Sequence, residues 1–210
     1  MINVYDELKL LIDSIHSVYS KATRQWEYQG SNTINLKKCQ VCDIDINGVI
    51  YKSIIKYVKF LNEQSADIIL KLPQECSCGI IMTRVKTQNS IESKIHSYNT
   101  PKHECGKIPL NKCFNDLFGI RIILTNSLRF DEISSFIAEQ YKNKYKCIDS
   151  SKLDYKATHL YFKESNYSFP WELQIWNSCD KENNFASHKK YKQAYTDWEK
   201  ESMEGGISND

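Results

Sequence analysis

The sequence predicts an α+β fold: a mixed β-sheet flanked by helices, with an N-terminal and a C-terminal helix packed on it. Segments of helical periodicity alternate with short β-branched segments, without internal repeats or low-complexity linkers, and 41% of the 210 residues are hydrophobic. A chain of this length and composition can bury one sizeable core. Because interleaved strands and helices usually form one sheet covered by helices, we expect a single domain over residues 1–210.

The N-terminal third is expected to be mainly helical. Apolar residues recur every three or four positions from Leu8 to Trp26, which predicts an amphipathic helix over about residues 2–26. A polar loop follows. The residues from Val41 to Ile46 and the Asn47-Gly48 pair then predict a short strand and a turn, and a second helix is expected over Ile50 to Leu61.

The rest of the chain alternates between strands and helices. A strand over Ile80 to Lys86 ends in basic residues, and Asn89 with Glu92 three positions later resembles a capping box at the start of a helix that runs through Tyr98. Thr100 to Pro109 is expected to be irregular. The remaining predicted elements are strands over Leu117–Leu124, Thr158–Phe162 and Trp171–Trp176, and helices over Phe130–Tyr141 and about residues 181–201.

Charge and apolar patterning limit the classes of function. With 28 Lys and Arg against 26 Asp and Glu, the net charge is +2, so global charge does not indicate a nucleic-acid binder and any basic site must be local. No segment has the apolar length of a membrane span, and the N-terminus lacks a signal-peptide pattern, so we expect a cytoplasmic protein without a membrane partner. Its eight cysteines are then expected to stay reduced.

A first group of polar residues follows the strand over Ile80 to Lys86. Arg84 and Lys86 share a strand face, and Ser90 and Lys94 lie one turn apart on the next helix, so the four side chains can converge on a polyanion such as a triphosphate. The alternative is a solvated basic rim, which is the commoner meaning of an isolated Arg-x-Lys.

Three further pairs of residues bracket the later strands. Asp116 and Arg121 flank an apolar strand, as a magnesium-binding carboxylate and a base-stacking guanidinium would, or as a structural ion pair. Tyr155 and His159 suit base stacking and hydrogen bonding, although single Tyr and His residues in strands more often pack. Glu172 and Gln174 project from one face of an apolar strand, where uncompensated burial is costly.

In their order along the chain, these motifs resemble the synthetase domain of the RelA/SpoT family. The family series is R-x-K-x-x-x-S-I-x-x-K, D-L-x-G-I-R, Y-[KR]-x-x-H and E-x-Q-I. This sequence matches it at Arg84–Lys94, Asp116–Arg121, Tyr155–His159 and Glu172–Ile175. The resemblance covers roughly half of the chain. It implies an enzyme that transfers the β,γ-pyrophosphate of ATP to a ribose 3′-hydroxyl with the help of Mg²⁺.

The resemblance also implies a role for each matching residue. On the donor side, Arg84 and Arg121 would sandwich the adenine, and Lys86, Ser90 and Lys94 would hold the ATP phosphates. Asp116 and Glu172 would bind the metal, with Glu172 bridging it or taking the proton of the attacking hydroxyl. Gln174 would orient the acceptor, Tyr155 would stack on its base and His159 would lie nearby. Such a reaction needs positioning and charge neutralisation and no covalent nucleophile.

Departures from the family pattern fall on the acceptor side. Trp176 stands where guanine-nucleotide synthetases usually have Arg after E-x-Q-I, and Asp154 replaces the usual Gly before Tyr155. The length leaves no room for the hydrolase and regulatory domains of the long family members, which indicates a small stand-alone synthetase. A downstream series resembles the toxic branch of these small enzymes: Asn184, Ser187-His188, Tyr191-Lys192 and Tyr195.

The toxic branch implies two possible acceptors. Some members pyrophosphorylate the 3′-terminal adenosine of the tRNA CCA end, which blocks aminoacylation and translation, and are neutralised by an antitoxin protein from a neighbouring gene; others make alarmone nucleotides from GDP or GTP. We favour tRNA. Its backbone would need basic contacts outside the cleft, and Lys37 and Lys38 are our first candidates. Further candidates, each also explicable as an ordinary solvated lysine, are Lys142, Lys144, Lys146 and Lys189-Lys190.

Two other interpretations stay open from the sequence. A catalytically inactive RNA-binding module on the same fold is disfavoured, because such a module has no electrostatic reason to keep Asp116 and Glu172 beside phosphates. The short cysteine pairs could alternatively hold a structural zinc ion, although C-x-C is tighter than a usual zinc knuckle. The possible zinc ligands are Cys39, Cys42, Cys76, Cys78, His103 and Cys105.

Overall fold

Five strands form one mixed sheet in a computed structural model that describes residues 3–30, 34–73, 77–187 and 189–190. The strands are β1 (Gly79–Val85), β2 (Phe118–Leu124), β3 (Lys146–Asp149), β4 (Thr158–Phe162) and β5 (Trp171–Asn177). Their order across the sheet is β1-β2-β5-β4-β3; β2 and β5 are parallel and the other neighbours are antiparallel. The predicted α+β class with a mixed sheet is confirmed.

Helices cover one face of this sheet. They are α1 (Val4–Tyr28), α2 (Val49–Lys71), α3 (Gln88–Tyr98), α4 (Leu110–Cys113) and α5 (Phe130–Tyr141). The apolar stripe predicted for α1 is buried from Leu8 to Trp26, and Asn3 caps the helix by accepting a hydrogen bond from the Tyr5 amide at 3.1 Å. The predicted helix over about residues 2–26 is therefore confirmed, with its end two residues later.

The core lies between these helices and alternate residues of the strands. On β5, Trp171, Leu173 and Ile175 are buried on the helix-covered face. The ring centres of Trp171 and Phe118 are 4.3 Å apart, and the Trp171 indole N–H donates to the Tyr57 hydroxyl at 2.9 Å. A period of two therefore directs the intervening side chains, including Glu172 and Gln174, to the opposite face. That face carries the candidate site.

Several boundaries differ from those the sequence predicts. Val41–Asp43 is a 3₁₀ turn and not a strand, because the Asp43 carboxylate accepts from the Gln40 amide at 2.7 Å and closes a turn there. Helix α2 continues ten residues beyond Leu61. The N-cap of α3 is Thr87, whose hydroxyl accepts from the Ser90 amide, so the capping box predicted at Asn89 is wrong.

The segment between α3 and α4 is more regular than predicted. Pro101–Gly106 is a kinked 3₁₀ segment, and Gly106 has a φ of +80° and lies so close to Asn99 and Cys42 that a Cβ would clash. The sequence did not reveal α4 or the short edge strand β3.

Residues 181–187 and 189–190 are helical, as predicted, and the rest of the helix predicted to residue 201 lies outside the described residues. Among the described residues, no helix has the length and apolarity needed to cross a bilayer.

Candidate active site

The site-bearing face of the sheet holds a cavity of about 440 Å³. The register places Arg84, Gly119, Glu172 and Tyr161 side by side across β1, β2, β5 and β4. Directly opposed residues project to the same face, so this row forms part of the floor. The cavity is lined by Met82, Thr83, Arg84, Asp116, Gly119, Ile120, Arg121, Glu172, Gln174, Phe185 and Lys189.

Asp116 is held between two lysines at one side of the cavity. Its carboxylate lies 2.6 Å from the Lys86 ammonium and 3.1 Å from that of Lys94. Burial alone would raise the pKa of Asp116, but the charges of Lys94 and Lys86 outweigh burial and hold that pKa well below its usual range. Burial lowers the pKa of Lys86. For Lys94, burial acts in the same direction, but Asp116 outweighs it and raises the pKa.

The predicted phosphate-binding residues lie beside the cavity. Lys86 and Lys94 are not among the described residues that line it, but both form ion pairs with Asp116, the predicted magnesium ligand, which does line it. Ser90 lies in the first turn of α3, with its hydroxyl 2.9 Å from that of Thr87. The first basic motif is therefore a charge cluster around one carboxylate, and the solvated-rim alternative is wrong for its two lysines.

Arg121 is fixed against the sheet by stacking and hydrogen bonds. Its guanidinium lies 3.6 Å from the centre of a Trp176 ring and donates twice to the Gln174 side-chain oxygen, at 3.0 and 2.8 Å. Burial lowers the pKa of Arg121 to about 10. Arg84, the other residue of the predicted adenine sandwich, is exposed on β1 and lines the same cavity. Trp176, a departure from the family motif, thus supports a residue of the donor side.

Glu172 is buried in a hydrogen-bonded network. Its Oε1 lies 2.9 Å from His159 Nδ1 and accepts from the Tyr161 hydroxyl at 3.0 Å, while Oε2 accepts from the Gln174 amide at 2.7 Å. Burial would raise the pKa of Glu172, but His159 outweighs it and the pKa lies below its ordinary value. The charge of this carboxylate is therefore compensated on both oxygens, as its burial requires.

Tyr155 extends this network away from Glu172. Its hydroxyl lies 2.9 Å from His159 Nε2 and accepts from the Trp176 indole N–H at 3.3 Å. Burial raises the pKa of Tyr155 to about 12, so the phenol is neutral at physiological pH. The two ring nitrogens of His159 therefore face Tyr155 and Glu172, respectively. Tyr161 was not singled out from the sequence, although it lies two residues after His159 on the same strand face.

The segment after β5 completes the cavity. Asn184 is fully buried; its side-chain oxygen accepts from the Lys156 amide at 2.7 Å and its amide donates to the Lys156 carbonyl at 2.8 Å. This anchor places Phe185 edge-on to Trp176, with ring centres 5.3 Å apart, and brings Lys189 to the cavity. His188, Tyr191 and Tyr195 of the same series lie outside the described residues.

Lys37 and Lys38, predicted to contact RNA, are exposed in a turn and do not line the cavity. The turn is tied to a later loop, because the Leu36 amide donates to the Asn166 carbonyl at 2.8 Å. Burial lowers the pKa of Lys163, and the nearby charge of Lys37 lowers it further. These two lysines therefore lie beside the loop after β4, outside the floor of the cavity.

The two predicted metal ligands face one cavity. Mg²⁺ is usually held by one or two carboxylates together with water and substrate phosphates, and Asp116 and Glu172 offer such a pair of hard oxygen donors. The donor chemistry of the residues present therefore fits the ion.

The cysteines that the structure describes are not gathered into a metal site. Cys39, Cys42, Cys78 and Cys105 are free thiols, and in the part of the chain that the structure describes no three His, Cys, Asp or Glu side chains form a group that could hold a metal. Cys76 lies outside that part.

Comparison with known proteins agrees with the motif order. Residues 83–196 match the model described as "Region found in RelA / SpoT proteins", and no curated protein matches the chain. Among solved structures, the chain is similar to small alarmone synthetase 1 from Bacillus subtilis (17% identity, 68% of this chain and 77% of that one, TM-score 0.39). It is also similar to small alarmone synthetase 2 from Bacillus subtilis (16%, 70% and 82%, 0.40) and to a GTP pyrophosphokinase family protein from Streptococcus pneumoniae (14%, 70% and 73%, 0.36). Because the family model spans more than half of the residues, the chain belongs to the RelA/SpoT family.

Proposed function

We propose that the chain transfers pyrophosphate from ATP to the 3′-hydroxyl of the CCA-end adenosine of tRNA and thereby blocks aminoacylation and translation. The observation that carries this proposal is that two groups of residues meet one cavity. One group is the Asp116–lysine cluster with Arg84, and the other is the buried Glu172 network, to which Arg121 is joined through Gln174. Transfer of a charged group between two substrates needs both groups facing a common space.

On the donor side, the ATP polyphosphate replaces Asp116 as the anionic partner of Lys86 and Lys94. Asp116 and Glu172 are the residues that would hold Mg²⁺, and the ion would supply neutralisation of charge on the transferring phosphates. Arg121, already flat against Trp176, offers its other face to the adenine, and Arg84 closes over it from β1.

On the acceptor side, Glu172 receives the proton of the attacking hydroxyl. The acceptor oxygen forms a bond to the β-phosphorus. The bond between that phosphorus and the oxygen that bridges it to the α-phosphorus breaks, and AMP leaves with the electron pair. Because its pKa lies below the ordinary value, Glu172 is ionised at neutral pH and has lone pairs to accept that proton. His159 and Gln174 hold its two oxygens in place.

Three sequence features favour tRNA over a free guanine nucleotide. Trp176 and Asp154 depart from the pattern of the guanine-nucleotide synthetases, and the series from Asn184 to Tyr195 resembles the toxic branch, while the donor motifs are intact. The same resemblance supports an antitoxin protein as a partner.

The acceptor is tested by incubating the protein with γ-labelled ATP and either tRNA or GDP. We expect label on tRNA and none on GDP. A matched control is tRNA whose 3′-terminal ribose has been oxidised with periodate, which should take no label. Label on GDP with none on intact tRNA would show that the chain makes an alarmone nucleotide.

Gly119 leaves space in the floor of the cavity. A Cβ built on it would lie 4.0 Å from its nearest neighbour, the Arg84 carbonyl oxygen, so valine fits the strand but its methyl groups enter the space between Arg84 and Glu172. We expect Gly119→Val to fold normally and to raise the KM for ATP by roughly tenfold or more, since a misplaced methyl-sized group in a binding pocket costs about 1–3 kcal/mol of binding. The KM of Gly119→Ala should lie between those of the parent and the valine variant. If the valine variant has the parent KM, ATP does not bind in this part of the cavity.

Trp176 is expected to act through Arg121. Trp176→Leu removes the ring under the guanidinium, and a cation–π contact of this kind is worth about 0.5–2 kcal/mol. The KM for ATP should therefore rise about fivefold to tenfold. Trp176→Phe keeps a ring and should recover most of that loss. If leucine and phenylalanine variants of equal thermal stability have the same KM, the stacking does not support ATP binding.

A further inference from the structure

A second cavity, of about 690 Å³, lies beside the first on the same face of the sheet. Four lysines line it, Lys112, Lys144, Lys146 and Lys163, and we call this cavity the lysine groove. Lys146 is the register partner of Tyr161, which is the partner of Glu172. The row of side chains that crosses the active-site floor therefore continues into the groove.

Only a thin wall separates the groove from the active-site cavity. Tyr161 lines the groove and donates its hydroxyl to Glu172, which lines the cavity. Asn115 lines the groove and its neighbour Asp116 lines the cavity. Tyr161 and the Asn115–Asp116 pair therefore lie between two adjacent cavities.

The residues that line the groove carry a net positive charge. No carboxylate lines it, and none of its four lysines forms an ion pair with a described residue. Lys144 lies 2.8 Å from His16 Nε2 and Lys163 donates to the Asn166 side chain at 3.0 Å, which leaves both charges in place. Burial and the charge of Lys144 lower the pKa of His16, against smaller opposing effects of Glu164 and Asp13. Asp13 is paired with Lys9, and Glu164 accepts from the Ser20 hydroxyl. Such a concentration of one sign of charge attracts anions.

We propose that the lysine groove holds the phosphodiester backbone of the RNA strand that ends at the acceptor nucleotide. This inference rests on the proposed transfer to an RNA 3′ end. A strand whose last ribose lies at Glu172 must leave the cavity, and the groove offers four cations, three asparagine side chains and two tyrosine rings along its exit. Lys37, beside Lys163, extends the positive charge beyond the groove. A strand with several phosphates can contact such an extended row of charges, whereas a free nucleotide is too short to do so.

The test compares two triple variants with the parent chain. Lys112→Gln, Lys146→Gln and Lys163→Gln together remove three exposed charges from the groove. The control, Lys52→Gln, Lys56→Gln and Lys59→Gln, removes three exposed charges from α2. Binding of labelled tRNA is measured as a function of salt concentration, and ATP binding is measured separately. Thermal unfolding confirms that all three proteins are folded.

We expect the groove variant to bind tRNA roughly 50-fold more weakly at physiological salt, with the slope of log K against log salt reduced by about 2, since each lost contact to a single strand removes about 0.7. ATP binding and the control variant should match the parent. An unchanged slope in the groove variant overturns the proposal, even if the parent modifies tRNA. If the parent binds no tRNA and the groove variant loses transfer to GDP, the groove serves a free nucleotide and the proposal is wrong together with the proposed acceptor.

Discussion

Glu172→Gln is expected to lower kcat for pyrophosphate transfer about a thousandfold, because a positioned general base contributes roughly 10²–10⁴ to a rate. Glutamine has nearly the same shape and can still bond to Tyr161 and Gln174, but it cannot receive the proton of the attacking hydroxyl or bind a metal as a carboxylate does. The KM for ATP should change much less. Single-turnover measurement with saturating ATP and tRNA separates the two effects.

The control for Glu172 is another carboxylate-to-amide change. Glu139 is exposed on α5, remote in the chain from all four motifs, and Glu139→Gln should leave both constants unchanged. If Glu172→Gln retains more than about a tenth of the parent kcat, proton transfer to this carboxylate is not part of the rate-limiting chemistry and the proposed role is wrong.

Asp116→Asn is expected to lower kcat/KM by at least about a hundredfold and to reduce stability. The variant leaves Lys86 and Lys94 close together without their shared carboxylate, and removing one partner of a buried ion pair costs about 3–5 kcal/mol. It also removes one of the two proposed metal ligands. Activity should be measured below the melting temperature of the variant, over a range of Mg²⁺ concentrations.

A second variant distinguishes lost stability from lost chemistry. Asp116→Glu keeps the charge near both lysines, so it should be more stable than the asparagine variant. Its carboxylate is displaced by one methylene, and we expect it to need more Mg²⁺ and to stay at least about tenfold below the parent in kcat/KM, since positioning errors near 1 Å cost up to about a hundredfold. Full activity in the asparagine variant, once it is shown to be folded, would exclude Asp116 from the reaction.

The elements that the sequence predicts best are those with strong local signals. The helix Phe130–Tyr141 and the strand Thr158–Phe162 have the predicted bounds, since a clear apolar period marks each one. The edge strand β3 has four residues, with Lys and Asp at its ends, and is defined by pairing with β4 more than by its own composition. Helix α4 is a single turn. Local patterns are weakest for such short elements.

The site shows the same division between local and tertiary information. Motif order was enough to identify Asp116, Arg121, Glu172 and Gln174, and the structure brings all four to one cavity. The pairing of Asp116 with Lys86 and Lys94 spans more than twenty residues of sequence, so spacing alone favoured a solvated rim. The support of Arg121 by Trp176 depends on the parallel register of β2 and β5, which only the folded sheet defines.

The most direct test of pyrophosphate transfer is the identity of the nucleotide released from ATP. With the parent protein, Mg²⁺, ATP and tRNA, the amounts of AMP, ADP and modified tRNA 3′ ends should be measured in the same reaction. We predict one AMP for each modified end, because breaking the bond at the β-phosphorus leaves AMP. Release of ADP in proportion to modified ends would contradict the account, since it would show transfer of a single phosphoryl group.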